Sequence, residues 1–144
     1  MKIMFVCTAN TCRSAMAEAI FKQMVDDEIY SCGTHAVTGS HVSQHTLDVC
    51  AGHGIDISKH ESTNFRESNI AEMDLVLTAT ELHKQKLKIY YDNLDIYTIK
   101  EYANEYPYDI NDPVGGTFEM YNACFEEIYR VLGKIKVILD KNIQ

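Results

Sequence analysis

Four apolar residues in a row, Ile3-Met4-Phe5-Val6, run into Cys7 and a short polar stretch, after which a helical pattern begins. An apolar run without alternation marks a strand buried on both faces, as in a parallel sheet covered by helices on each side. Behind it, Met16, Ile20 and Met24 recur at steps of four, Ala17 and Phe21 widen the stripe, and Glu18 and Lys22 form an i,i+4 pair. A buried strand that hands over so quickly to a helix sets the plan for the rest of the chain.

The remainder continues the alternation. Glu28 to Cys32 reads as a second strand closed by Gly33, and Ser43 to Ala51 as a helix with Gly54 at its exit. Ser58 to Asn69 offers turn residues and room for one short helix. Leu75-Val76-Leu77 reads as a third strand, Glu81 to Tyr90 as a helix, and Leu94 to Ile99 as a fourth strand. Tyr102 to Gly116 is a long loop rich in Tyr, Asp, Pro and Gly. In the last segment Phe118, Tyr121, Phe125, Ile128, Leu132, Ile135 and Leu139 alternate steps of three and four, which places them on one helix face. The pattern predicts an α/β chain: a single domain over residues 1–144, with an open parallel four-stranded sheet and helices on both faces.

Composition narrows the functions this plan can carry. The formal charge is −8, from 13 Lys plus Arg against 21 Asp plus Glu, which argues against general binding to nucleic acid or anionic membrane. No apolar run approaches the ~20 residues that span a bilayer, and the four-residue apolar start is too short for a signal peptide. The five cysteines (Cys7, Cys12, Cys32, Cys50 and Cys124) are odd in number and include no C-x-x-C pair, so neither a disulfide framework nor a zinc site is expected. A reducing, cytoplasmic setting follows, in which Cys32, Cys50 and Cys124 are buried apolar residues and a thiol at a strand end is a candidate nucleophile.

That thiol is Cys7, in Cys7-Thr8-Ala9-Asn10-Thr11-Cys12-Arg13-Ser14. C-x5-R alone recurs by chance, but here it joins the carboxyl end of a strand to a helix N-terminus, where α/β sheets bind ligands. The helix start offers unpaired N–H groups and a positive partial charge. Such surroundings and a nearby cation favour a thiolate, the form that attacks phosphorus. Arg13 brings a planar fork suited to two phosphoryl oxygens, and the five intervening residues can turn their N–H groups onto one anion. Asn10 tolerates left-handed backbone angles. Ser14 is placed to donate to the sulfur. The plainer alternative makes Ser14 a helix cap and Cys7 a buried strand end.

With these residues in view, the chain resembles the low-molecular-weight protein tyrosine phosphatases, whose loop reads C-x-G-N-x-C-R-S-P. The likeness continues through GIDISKH (Gly54 to His60), DLVLTAT (Asp74 to Thr80) and Asp112-Pro113 before a C-terminal helix, in family order over essentially the whole chain. The resemblance implies a flavodoxin-like fold and a phosphatase in which Cys7 is the nucleophile and Arg13 binds phosphate. It makes Asp112 the general acid, and then the base that activates water against a phosphocysteine. It assigns Thr8 to Ser14 to phosphate binding, with Asn10 and Ser14 organising the loop. Cys12 becomes a reversible disulfide partner of Cys7, and His60 a brace. Neither a metal nor a cofactor is implied. The partner is a phosphorylated protein or peptide, and the chain would act as a monomer or weak dimer. Two departures stand out: Ala9 where the family usually has Gly, and Ala15 where it usually has Pro.

The substrate side chain stays open between phosphotyrosine and phosphoarginine. Tyrosine-specific relatives commonly carry Ile or Leu at the position of Thr11 and an aromatic pair after Asp-Pro. Here Thr11 and Asp112-Pro113-Val114-Gly115-Gly116 are similar to the arginine-type pattern, while Tyr102, Tyr106 and Tyr108 offer material for an aromatic wall. Asp109, the other loop acid, reads as a capping residue. Two further functions compete. An arsenate reductase of the same fold needs a redox cysteine pair after the third strand, and residues 79–91 contain none. A non-catalytic phosphate-binding module would have no use for Cys7 and Asp112.

Overall fold

The computed structural model describes residues 1–143. Its order is β1 (Lys2–Cys7), α1 (Arg13–Lys22), β2 (Glu28–Gly33), α2 (Gln44–Gly52), β3 (Leu75–Thr78), α3 (Glu81–Tyr90), β4 (Ile96–Thr98), α4 (Ile99–Tyr102) and α5 (Phe118–Ile143). The four strands are parallel in the order β2-β1-β3-β4, as the alternating pattern requires. β1 and β3 form the central pair, and the chain leaves β1 for β2 on one side and β3 for β4 on the other. The carboxyl end of β1 is therefore the point where strand order reverses, and the loop that starts at Cys7 opens there.

The period of two along β1 explains its unbroken apolar run. Ile3 and Phe5 face a core shared with Met16, Phe21, Phe125 and Ile128, whereas Met4 and Val6 face a second core with Phe65, Ile70, Val76 and Leu87. Each face needs its own apolar residues, so no polar alternation is tolerated. On α5, Tyr121, Phe125, Ile128, Leu132, Ile135 and Leu139 are buried as the spacing predicts. Phe118 is not: at the first turn of α5 it is 42% exposed, because the helix begins beyond the edge of the layer it covers.

One segment differs from the sequence reading, and the open stretch 58–69 takes its short helix. The fourth strand spans Ile96–Thr98 rather than Leu94 to Ile99, and it stops at Thr98 because that residue caps a new helix. Thr98 Oγ1 accepts from Glu101 N–H at 2.9 Å and Glu101 Oε1 accepts from Thr98 N–H at 3.0 Å, a reciprocal capping box. The stretch 58–69 holds a 3-10 turn at Phe65–Glu67, and a second follows at Ile70–Glu72. Among the described residues no helix is long and apolar enough to cross a membrane.

Candidate active site

Cys7, buried at the end of β1, opens the loop and Arg13 begins α1. Among the described residues, the backbone N–H groups from Thr8 to Ser14 donate to no carbonyl and to no side chain. A run of seven unspent donors between a strand and a helix is costly unless an anion or water takes them. The carbonyls on the same stretch are engaged: Cys7 O accepts from Thr34 N–H and Thr8 O from His35 N–H, both at 2.9 Å, and Thr11 O from Ser43 N–H at 3.3 Å. The loop is thus tied by its oxygens and left with its donors free.

Asn10 sets the curl. It is fully buried at φ 59°, the left-handed region in which Asn is one of the few tolerant side chains. Its amide nitrogen donates to Ser14 Oγ (2.7 Å) and Ser31 Oγ (2.9 Å), and its amide oxygen accepts from Thr63 N–H (2.9 Å). Ser14 Oγ lies 3.0 Å from Cys7 Sγ. Because Asn10 already donates into that oxygen, the hydroxyl proton is left for the sulfur or for the Cys32 carbonyl at 3.4 Å. Ser14 makes no N-cap bond; the cap position belongs to Cys12, without a side-chain bond. Ala9, standing where a glycine is usual, does not adopt a positive φ, so its Cβ costs the loop nothing.

His60 reaches the loop from the 58–69 stretch. Its Nε2–H donates to Asn10 O at 2.9 Å, while Nδ1 lies 3.8 Å from Glu18 Oε1, an oxygen that also accepts from Ser31 Oγ. The geometry is that of a brace. Gly33, which seemed only to close a strand, carries a stricter demand. A Cβ there would lie 2.4 Å from Thr8 O and 3.0 Å from Asn10 N, so the loop packs down only over glycine.

Arg13 is buried, donates through Nη1 to Ile110 O at 2.9 Å, and holds Nη2 3.4 Å from Asp112 Oδ2. Ile110 is fully buried, so this bond locks the phosphate loop to the loop that carries Asp112. Asp112 Oδ1 accepts from Val114 N–H at 3.1 Å. Asp109 is spent elsewhere: its Oδ1 accepts from Glu81 N–H at 2.9 Å, at the start of α3.

Cys7, Thr8, Ala9, Thr11, Cys12, Arg13 and Asp112 line one cavity of about 230 Å³, together with Val114. Asn10 and Ser14 do not line it; their side chains buttress it from behind. Larger clefts of about 420 and 430 Å³ exist, but neither is lined by Cys7 or Arg13. Tyr102, Tyr106 and Tyr108 also stay away from this cavity. Tyr102 packs on Tyr97 with ring centroids 5.4 Å apart, and Tyr106 pairs edge-on with Tyr108 at 5.2 Å. The described residues hold no cluster of His, Cys, Asp or Glu arranged for a metal.

All five thiols are free and buried. Burial pushes Cys32 and Cys50 up to about 12, which makes them inert. Cys12 is different: the neighbouring Cys124 thiol lowers its pKa, and Cys12 in turn raises that of Cys124.

The sequence reading missed His83. It is buried at the first turn of α3, and its ring contacts Thr8 Oγ1 at 2.8 Å. Its only signal was its place in Thr80-Glu81-Leu82-His83, three residues after a capping Thr. A distance of 75 residues separates it from the loop it touches.

A buried cysteine that opens a loop of unpartnered amides and shares a cavity with an arginine and a carboxylate belongs to the cysteine-dependent phosphatases. Comparison with known proteins gives the family. A model of the low molecular weight phosphotyrosine protein phosphatases matches residues 2–144, and the chain belongs to that family. It is 43% identical over 138 residues to the low molecular weight protein-tyrosine-phosphatase PtpB of Staphylococcus haemolyticus, covering 94% of this chain and 98% of the relative. Among solved structures it superposes on the YwlE arginine phosphatase of Geobacillus stearothermophilus with a TM-score of 0.90 at 32% identity, over 98% of this chain and 94% of the other. A YwlE arginine phosphatase with a phosphorylated active-site serine superposes with a TM-score of 0.91 at 31% identity, over 98% and 97%.

Proposed function

We propose that this chain removes phosphate from phosphoarginine in proteins, through a phosphocysteine on Cys7. The observation that carries the reading is the run of unspent backbone donors from Thr8 to Ser14 around a buried thiol, with Arg13 closing the ring. Cys7 sulfur attacks phosphorus in line with the bridging bond, and the Ser14 hydroxyl steadies the sulfur at 3.0 Å. The peptide donors and the Arg13 fork hold the charge that spreads over the phosphoryl oxygens. As the bond to the leaving nitrogen breaks, Asp112 gives it a proton. The same carboxylate then takes a proton from water, which attacks phosphorus, breaks the P–S bond and releases inorganic phosphate. Asp112 lines the cavity with Cys7, and its side chain is 44% exposed to solvent.

The guanidino group as leaving group is supported by the walls. Thr11 and Val114 line the cavity, and no aromatic side chain does. A guanidinium offers several N–H donors, which match the Thr11 hydroxyl and the Asp112 carboxylate better than a phenyl ring would. Two YwlE structures bearing the name arginine phosphatase superpose over nearly all of the chain. Phosphotyrosine is the second reading, favoured by the name of the Staphylococcus haemolyticus relative. Phosphate release from matched phosphoarginine and phosphotyrosine peptides tests the choice. Faster release from phosphoarginine is expected, with Thr11→Ile shifting the ratio toward phosphotyrosine; a preference for phosphotyrosine in the unaltered protein overturns it.

Cys12 lines the same cavity as Cys7, which supports a protective role. A peroxide would convert Cys7 to a sulfenic acid, and the Cys12 thiol would condense with it, releasing water and leaving a reducible disulfide. Five free thiols support a reducing cytoplasmic setting.

A further inference from the structure

His83 and Thr8 form a line of hydrogen bonds that the phosphatase reading leaves without a purpose. His83 is 6% exposed, and both ring nitrogens are committed. Nδ1 accepts from Thr80 N–H at 3.2 Å and lies 2.9 Å from Thr80 Oγ1. A ring nitrogen that accepts from a backbone amide carries no proton, so the proton of the neutral ring sits on Nε2. Nε2–H therefore donates to Thr8 Oγ1, at 2.8 Å. Arg13 Nη2 approaches the same oxygen at 3.5 Å.

The consequence falls on Thr8. One acceptor position of its hydroxyl is taken by the imidazole, and a guanidinium stands near the other at 3.5 Å. Its own proton has no acceptor among the described residues. Thr8 follows Cys7 in the chain and lines the cavity with Cys7, Arg13 and Asp112. The unspent O–H thus has an anion-binding cavity beside it, and the imidazole dictates which way it points.

We propose that His83 is a positioning residue that turns the Thr8 hydroxyl proton into the cavity beside Cys7, so that Thr8 donates a hydrogen bond to the phosphoryl group of the substrate. The inference rests on the phosphatase reading above and adds one donor to the ring of amides. The neutral state it requires fits the surroundings of the ring. Burial is the main effect that lowers the His83 pKa, to about 4; Arg13 and His35 act in the same direction, while Asp109 and Asp112 oppose it. The ring therefore stays neutral at physiological pH, and its tautomer is set by the Thr80 amide.

The test is a double-mutant cycle on p-nitrophenyl phosphate, with inorganic phosphate as competing ligand. Thr8→Val removes the hydroxyl at nearly constant shape, and His83→Phe removes the donor that orients it. Each should lower kcat/KM by roughly ten- to a hundredfold, the worth of one hydrogen bond to a charged group, and weaken inhibition by phosphate. The double variant should fall no further than Thr8→Val alone. Thr8→Ser, which keeps a hydroxyl, should lose less than Thr8→Val. If the two losses multiply, His83 supports the fold and not Thr8, and the proposal is overturned. Should His83→Phe fail to fold, Thr8→Val still decides, since unchanged turnover and phosphate inhibition in that variant overturn it too. Either result leaves turnover by the unaltered protein in place; absence of that turnover would instead remove the phosphatase reading.

Discussion

The two loops that meet at Arg13 are held by different forces. The phosphate loop, residues 8–12, is fastened by buried, mostly neutral hydrogen bonds: Asn10 to Ser14, Ser31 and Thr63, His60 to the Asn10 carbonyl, and Thr34 and His35 to the carbonyls of Cys7 and Thr8. The acid loop, residues 103–117, is pinned at one place by buried backbone, where Ile110 N–H donates to Ala79 O at 2.8 Å and Ile110 O accepts from Arg13. Near its start, Glu105 binds Arg130 at 2.6 Å and Lys134 at 2.8 Å on α5. At its tip Val114 is 68% exposed. The grip on the anion is built before substrate arrives, since seven amide donors must already point inward to be of use. The proton donor has no such requirement. On the reading proposed above it must face one kind of leaving nitrogen presented on many different protein surfaces, and an exposed tip suits that task.

This contrast can be broken most severely at the grip. Cys7→Ser should abolish turnover, by about 10⁴-fold or more, while retaining affinity for inorganic phosphate, because the amides and Arg13 are unchanged. Residual turnover near the unaltered rate, measured by phosphate release, would end the covalent reading. On the acid loop, Asp112→Asn should slow substrates with poor leaving groups by about 10²- to 10⁴-fold and p-nitrophenyl phosphate much less. The melting temperature should barely move, because the carboxylate is 44% exposed. A uniform rate loss across leaving groups would remove its role as acid.

Gly33→Ala sharpens the point from the structural side. Its Cβ would meet Thr8 O at 2.4 Å, so the loop must shift, at a cost of about 1–3 kcal/mol in stability, read by denaturant unfolding. Phosphate affinity should fall with it. An unchanged midpoint would mean that the loop is far softer than its bonds imply. The smallest effect belongs to the ion pairs. Glu105→Gln should cost no more than about 1 kcal/mol, and high salt should erase the difference. Hydrogen bonds from Arg130 and Lys134 lower the Glu105 pKa from 4.5 to about 2, so its contribution is present above pH 4.5 and is lost as pH falls toward 2. A variant whose stability matched the unaltered protein only below that window would agree; equal stability at pH 7 and low salt would not.

Much of this was legible in the chain. The strand–loop–helix unit could be read from Ile3 to Met24, because an apolar run and a helical period leave few alternatives. Cys7, Arg13 and Asn10 could be assigned from chemistry local to seven residues. The limits were also local ones. The apolar pattern from Leu94 to Ile99 overruns the fourth strand at both ends, and at the far end the T-x-x-E of Thr98 and Glu101 starts a helix instead. Phe118 shares a helix face with Tyr121 and Phe125 and is still 42% exposed, because periodicity reports which face a residue takes and not where the neighbouring layer ends.

The amino-acid order by itself determined the alternating α/β plan, the buried thiol at a strand end and the cation that closes its loop, since each depends on near neighbours and on hydrophobic period. Only the tertiary structure decided that Gly33 must lack a side chain, that Arg13 is tied to the Ile110 carbonyl, and that His83 reaches Thr8 across 75 positions. These are contacts between elements far apart in the chain. Close packing and directional hydrogen bonds select them, and neither leaves a trace in the spacing of residues.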